Sequence, residues 1–133
     1  MASLFTRIIK GEIPCYKIAE DEKCFAFLDI SPLAKGHTLV VPKKETDYIF
    51  DISEEEHKYL WNYVKYVARA VEAAIPCKRI GIAVIGLEVP HAHIHLIPMN
   101  KVSDMNFTNP KLKISDDEMR EIAERIRSAF HKG

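Results

Sequence analysis

The chain has 133 residues, of which 47% are hydrophobic, with 19 acidic and 19 basic side chains and no formal net charge. That is enough apolar material for the core of one ordinary domain, and nothing resembling a linker divides residues 1–133, so one domain is expected. The charge balance offers nothing to a nucleic-acid backbone or an anionic membrane as main partner, although a local phosphate pocket remains compatible with it.

Cys15, Cys24 and Cys77 are odd in number, scattered, and form no Cys-x-x-Cys, which argues against a disulfide framework or a cysteine-based zinc knuckle. Reduced thiols in a cytoplasmic protein are the expected state. The amino terminus shows no basic stretch leading into a long apolar run, and no segment has the length and apolarity to span a bilayer.

Along the chain, Leu4, Phe5, Ile8 and Ile9 recur at helical spacing, and Gly11 follows as a left-handed cap. Strands near 16–20 and 23–28, joined by Asp21-Glu22, read as a hairpin. Asp29-Ile30-Ser31-Pro32 then breaks the chain, because Asp and Ser favour turns and a residue before proline leaves helical space. Asp29 reads either as a turn residue or as a ligand for a sugar, since a carboxylate accepts hydrogen bonds from two vicinal hydroxyls at once. His37-Thr38-Leu39-Val40-Val41 is an apolar strand entered through Gly36, and Lys43 and Lys44 read as its solvated exit.

Ser53-Glu54-Glu55-Glu56 has the form of a capping box. From Leu60 to Ile75 apolar residues repeat at three and four until Pro76, which predicts the longest helix at about 54–75. Arg79 to Leu87 reads as a buried strand, and Gly86-Leu87-Glu88-Val89-Pro90 as a tight connection to the next one. Residues 99–114 lack periodicity and read as loop. A second capping box at Ser115 opens an amphipathic helix at about 116–130. Together these elements predict an α+β fold, an antiparallel sheet with a long central helix and a C-terminal helix.

The most informative stretch is Pro90-His91-Ala92-His93-Ile94-His95-Leu96-Ile97-Pro98. In an extended chain His91, His93 and His95 share one face while Ala92, Ile94 and Leu96 share the other, so a strand is expected at about 91–97. Such a row has three readings. It is a solvated strand face, a set of metal ligands, since His-x-His can converge on one zinc, or a phosphoryl or nucleotidyl transfer site with one neutral imidazole as nucleophile. Spacing alone does not separate the last two.

His91-Ala92-His93-Ile94-His95-Leu96-Ile97 resembles the signature of the histidine triad family, His-φ-His-φ-His-φ-φ with φ apolar. Phe5 to Pro14, Phe27-Leu28-Asp29-Ile30-Ser31-Pro32 and Gly36 to Lys44 are similar to the family's opening helix, ribose-contacting turn and following strand, in the same order. The resemblance implies a histidine triad fold and action at the α-phosphate of nucleoside phosphoramidates or dinucleoside polyphosphates, with an AMP-containing nucleotide as substrate. His93 would be the nucleophile, His91 would position it, and His95 and His37 would hold non-bridging oxygens. Phe5, Ile8, Phe27, Leu28 and Ile30 would contact the nucleoside and Asp29 its ribose. Neither metal nor cofactor is required, and part of the long helix would serve a homodimer interface.

Two departures bear on that transfer. The connection before the triad is short, and Glu88 stands where the family has a small hydroxyl residue that contacts phosphate. A polar residue that the family carries on the preceding strand is replaced by Val84 or Ile85. Glu88 then reads either as the leaving group's proton donor, its pKa raised by burial near phosphate, or as a solvent-facing residue of an altered site. The resemblance also leaves open a purine-nucleotide-binding protein of low activity, and the residues themselves leave a zinc-dependent hydrolase.

Overall fold

In a computed structural model of the protein, which describes residues 2–132, α1 covers Leu4–Ile9. Then follow β1 (Lys17–Glu20), β2 (Cys24–Leu28), β3 (Thr38–Pro42), α2 (Glu54–Ala74), β4 (Arg79–Ala83), β5 (Ile94–Met99) and α3 (Asp116–Ala129). The strands form one antiparallel sheet in the order β1-β2-β3-β5-β4, so the fold class is the expected α+β. Short 3-10 turns occur at Ile49–Asp51 and Val102–Met105, the second within the stretch read as loop.

Side-chain alternation gives the sheet two different faces. On one, Cys24, Ala26, Leu28, Val40, Ile94 and Leu96 pack against Leu60, Val64, Val67 and Val71 of α2 and Met119, Ile122 and Ile126 of α3. Each of the valine, leucine, isoleucine and methionine side chains among them contributes about 1.5–3 kcal/mol by leaving water, so this face carries most of the stability. On the other face Phe25, Phe27, Leu39 and Val41 meet Phe5 and Ile8 of α1 in a smaller cluster, which continues into the histidines. The short α1 closes through Gly11, whose φ of +81° suits glycine.

Both long helices start on serine caps. Ser53 Oγ accepts the Glu56 amide at 3.2 Å and Ser115 Oγ the Glu118 amide at 3.2 Å. The boxes are half formed: the Glu56 carboxylate takes the Ser53 hydroxyl at 2.9 Å, and Glu118 pairs with Lys35 at 2.6 Å.

Two strands differ from the expectation. β5 begins at Ile94, three residues later than the alternation predicts, because the β3–β5 register would set Ala92 opposite Pro42. Proline has no amide to donate, and the Pro42 carbonyl is taken by the His91 ring at 2.7 Å. The Ala92 amide turns instead to the Thr46 carbonyl at 2.7 Å. The alternation survives the loss of pairing: Ala92 lies in the helix-side core while His91 and His93 stay on the other face. β4, read as buried through Leu87, ends at Ala83 and is an edge strand with partly exposed side chains.

Candidate active site

His91 and His93 leave the 89–93 turn just before β5. The His93 Nδ1 lies 2.8 Å from the His91 carbonyl oxygen. A carbonyl only accepts, so Nδ1 carries the proton and Nε2 keeps its lone pair. Phe5 meets the His93 ring edge-on with centroids 4.8 Å apart, which fixes the ring plane. His91 is fully buried. Its Nε2 donates to the Pro42 carbonyl, so its Nδ1 must accept, and Ser3 Oγ stands 2.8 Å from that nitrogen. Burial pushes the His91 ring down in pKa, opposed by the Pro42 carbonyl.

His37 and His95 form a second ordered pair. The Leu33 amide donates to His37 Nδ1 at 3.0 Å, which leaves the proton of that neutral ring on Nε2. His37 Nε2 lies 2.9 Å from His95 Nδ1, so it donates there and the His95 proton sits on Nε2. Burial, reinforced by the neighbouring rings and by Lys111, pushes His37 down to about 3 and His95 down to about 4. Both rings are therefore neutral at pH 7. Gly36 makes this geometry possible: its φ is +89°, and a Cβ there would stand 2.8 Å from Ile75 Cγ1.

Asp29 joins the pair from the turn after β2. Its Oδ1 accepts the Ser31 amide at 2.8 Å, and its Oδ2 lies 3.6 Å from His37 Nε2. Burial raises its pKa, opposed by the Ser31 amide and the positive groups nearby.

Of the residues singled out from the sequence, His37, His91, His93, His95, Asp29, Phe5, Ile8 and Phe27 lie on this one face of the sheet. Leu28 does not: strand alternation puts it in the helix-side core, out of reach of the site. Ile30 is 76% exposed at the tip of its turn. His37 is behind His95 with both ring nitrogens engaged, so it offers no free donor to a phosphate. Glu88 is exposed and lacks the burial that a proton-donor role was expected to draw on. Val84 is partly buried against the helix-side core and Ile85 is exposed. Lys43 and Lys44 pair with Glu20 and Glu56, as solvated exit residues would.

Sequence reading missed part of the site. Phe107 packs edge-on against His95 with centroids 5.0 Å apart, and the Lys111 ammonium donates to the Phe107 carbonyl at 2.6 Å. Their segment is tied to the Asp29 turn by a hydrogen bond from the Leu112 amide to the Pro32 carbonyl at 2.8 Å. An aromatic and a lysine in an aperiodic loop carry no spacing signal.

The metal reading meets a specific obstacle. Asp29, His37 and His95 bring donor atoms within 4.8 Å of one another. A cation needs lone pairs, however, and the Leu33 amide forces the proton onto the His37 nitrogen that faces the cluster. The lone pair of His91 is likewise occupied, so the triad does not converge on one ion.

A family model described as HIT domain matches residues 10–102. The chain is 35% identical over 131 residues to an adenosine 5′-monophosphoramidase of Schizosaccharomyces pombe, covering 96% of this chain and 98% of that one. It is also 31% identical over 100 residues to an adenylylsulfatase of Arabidopsis thaliana, across 71% of this chain and 51% of the relative. A crystal structure of a HIT-like protein from Bartonella henselae superposes with a TM-score of 0.82 at 30% identity, covering 96% of each chain. The matched span holds all four histidines of the site together with Asp29, and this chain belongs to the histidine triad family.

Proposed function

We propose that the chain cleaves adenosine-type nucleotides at the α-phosphorus through a nucleotidyl-His93 intermediate. The observation that carries this reading is the hydrogen-bond pattern of the four rings: the tautomers it implies leave only His93 with an unengaged lone pair, on Nε2. That nitrogen attacks phosphorus, a P–N bond forms, and the bond to the leaving group breaks with its electron pair going to the departing sulfate, phosphate or amine, the amine taking a proton from solvent as it leaves. The positive charge that develops on His93 is met by the His91 carbonyl. The His95 Nε2–H offers a donor to a non-bridging oxygen, and Lys111 adds positive charge to that side. Water then attacks phosphorus and frees His93.

The aromatic and aliphatic surface of Phe5, Ile8 and Phe27 suits a base, and Asp29 a pair of ribose hydroxyls. One relative is named for a monophosphoramidate of adenosine and another for adenylyl sulfate, which supports a fixed nucleotide half with a variable leaving group. Glu88, which is exposed, is read as a solvent-facing residue of an altered phosphate site. Intact mass spectrometry of the protein mixed rapidly with an adenosine 5′-phosphoramidate tests the scheme. An added AMP mass on the parent and none on His93→Ala is expected. Turnover that persists in His93→Ala contradicts it.

We further read the chain as one domain acting in a homodimer in the cytoplasm. A groove of about 360 Å³ between α2 and the β4 edge, lined by Trp61, Val64, Ala68, Ile80 and Ile82, supports pairing through that edge. The free thiols of Cys15, Cys24 and Cys77 suit a reducing compartment, and among the described residues no helix is long and apolar enough to cross a membrane. Ile82→Lys is expected to convert a dimer to monomers in sedimentation equilibrium; a parent that already sediments as a monomer refutes this part.

A further inference from the structure

Behind His91 a second group of polar side chains converges, none of which the proposed chemistry uses directly. Ser3 caps α1, with its Oγ accepting the Thr6 amide at 3.1 Å. The same Oγ lies 2.8 Å from His91 Nδ1 and 3.2 Å from Thr6 Oγ1, and Thr6 Oγ1 is itself 3.4 Å from His91 Nδ1. Two hydroxyls thus compete for one ring nitrogen, and each could donate in more than one direction.

Glu45 resolves the competition. Its Oε1 accepts the Thr6 hydroxyl and the Ser3 backbone amide, each at 2.7 Å. A carboxylate without its proton only accepts, so Thr6 is committed to Glu45, and Ser3 is left as the hydroxyl that donates to His91. The hydrogen bonds from Thr6 and Ser3 hold the Glu45 carboxyl down at about 2, so it stays an acceptor across the neutral range. The bonds then run in one direction: from Ser3 to His91 Nδ1, from His91 Nε2 to Pro42, with the His91 carbonyl free for His93 Nδ1. The same carboxylate ties down the cap of α1, whose Phe5 sets the plane of the His93 ring.

We propose that Glu45, by committing Thr6 and leaving Ser3 as the donor to His91 Nδ1, is a positioning residue that fixes the orientation of His91, whose tautomer the Pro42 carbonyl sets, and through it the orientation of His93. The proposal rests on the reading of His93 as nucleophile. It separates Glu45 from a merely structural anchor of α1: an anchor would move KM and thermal stability, whereas a positioning residue moves the rate of nucleotidyl transfer at saturating substrate.

The test compares Glu45→Ala, Glu45→Gln and Ser3→Ala/Thr6→Val in single-turnover reactions with an adenosine 5′-phosphoramidate, together with ring-nitrogen NMR of the substrate-free proteins. The expected result is a transfer rate lowered about tenfold, with little change in KM, in Glu45→Ala and in the double variant. Glu45→Gln, which keeps an acceptor oxygen at Oε1, stays within about twofold of the parent by the same reasoning. The His91 Nδ1 signal loses the shift of a hydrogen-bonded acceptor in the first two variants only, while Nε2 stays protonated against the Pro42 carbonyl. An unchanged rate in Glu45→Ala overturns the proposal, as does a Glu45→Gln rate as low as that of Glu45→Ala, or an effect confined to KM and melting temperature. If the parent forms no adduct and turns over no substrate, the functional reading fails instead, and the His91 Nδ1 signal still decides whether Glu45 secures its hydrogen-bond donor.

Discussion

The two halves of the histidine face are built alike and end differently. In one, a donor from the α1 cap enters His91 and the proton on the far side of the ring is absorbed by the Pro42 carbonyl. In the other, the Leu33 amide enters His37, the His37 proton passes to His95, and the proton on the far side of His95 has no partner among the described residues. The first chain is closed by protein and the second is left as an open donor. Three neighbouring histidines thus have three uses: His91 holds, His95 donates outward, and His93 between them keeps a bare nitrogen. The difference lies in where the backbone supplies amides and carbonyls, which the regular spacing of the motif does not reveal.

The largest effect that can break this comparison is at the bare nitrogen. His93→Ala is expected to lower single-turnover cleavage of an adenosine 5′-phosphoramidate by at least about 10⁴-fold, as loss of a nucleophile does elsewhere. Next, His95→Ala removes the open donor and should cost about 10²–10³-fold in kcat, by analogy with an oxyanion-hole donor. His37→Phe leaves His95 in place and frees its tautomer, so a loss of about tenfold is expected, smaller than that of His95→Ala. Equal losses in the two variants would mean that His37 touches substrate after all.

Acid stability sharpens the comparison in the absence of substrate. His37 and His95 are held down at about 3 and about 4, below the ordinary histidine value near 6.5. Between those values the unfolded chain binds more protons than the folded one, so stability falls as pH drops below about 6.5 and rises with pH across that window. Each ring contributes a slope of at most about 1.4 kcal/mol per pH unit. Melting temperatures measured from pH 7 to pH 4 should decline, and the decline should be shallower in the His37→Phe/His95→Phe double variant. The smallest effect is Gly36→Ala, which forces a side chain into a positive φ against Ile75 and should destabilise by roughly 1–2 kcal/mol in denaturant unfolding.

Sequence alternation carried a large part of this structure. Ala92, Ile94 and Leu96 point to the helices and the histidines point away because a period of two survives even where the ladder is broken. The start of β5 was not legible from the motif, since it depends on Pro42, a residue fifty positions upstream with no amide to offer. The resemblance of its neighbours points Leu28 toward the site, yet its own parity in β2 sends it to the opposite face. Phe107 and Lys111 reach the site from a loop without periodicity, and Glu45 is one charged residue among many at a strand exit. Such residues are defined by what they touch, and touching is a property of the fold.

Ring-nitrogen NMR of the substrate-free protein at neutral pH tests the central claim most directly. The account predicts His93 protonated on Nδ1 with Nε2 bare, and His37, His91 and His95 all protonated on Nε2. A His93 ring protonated on Nε2, or a His95 ring with its Nε2 bare, would contradict it.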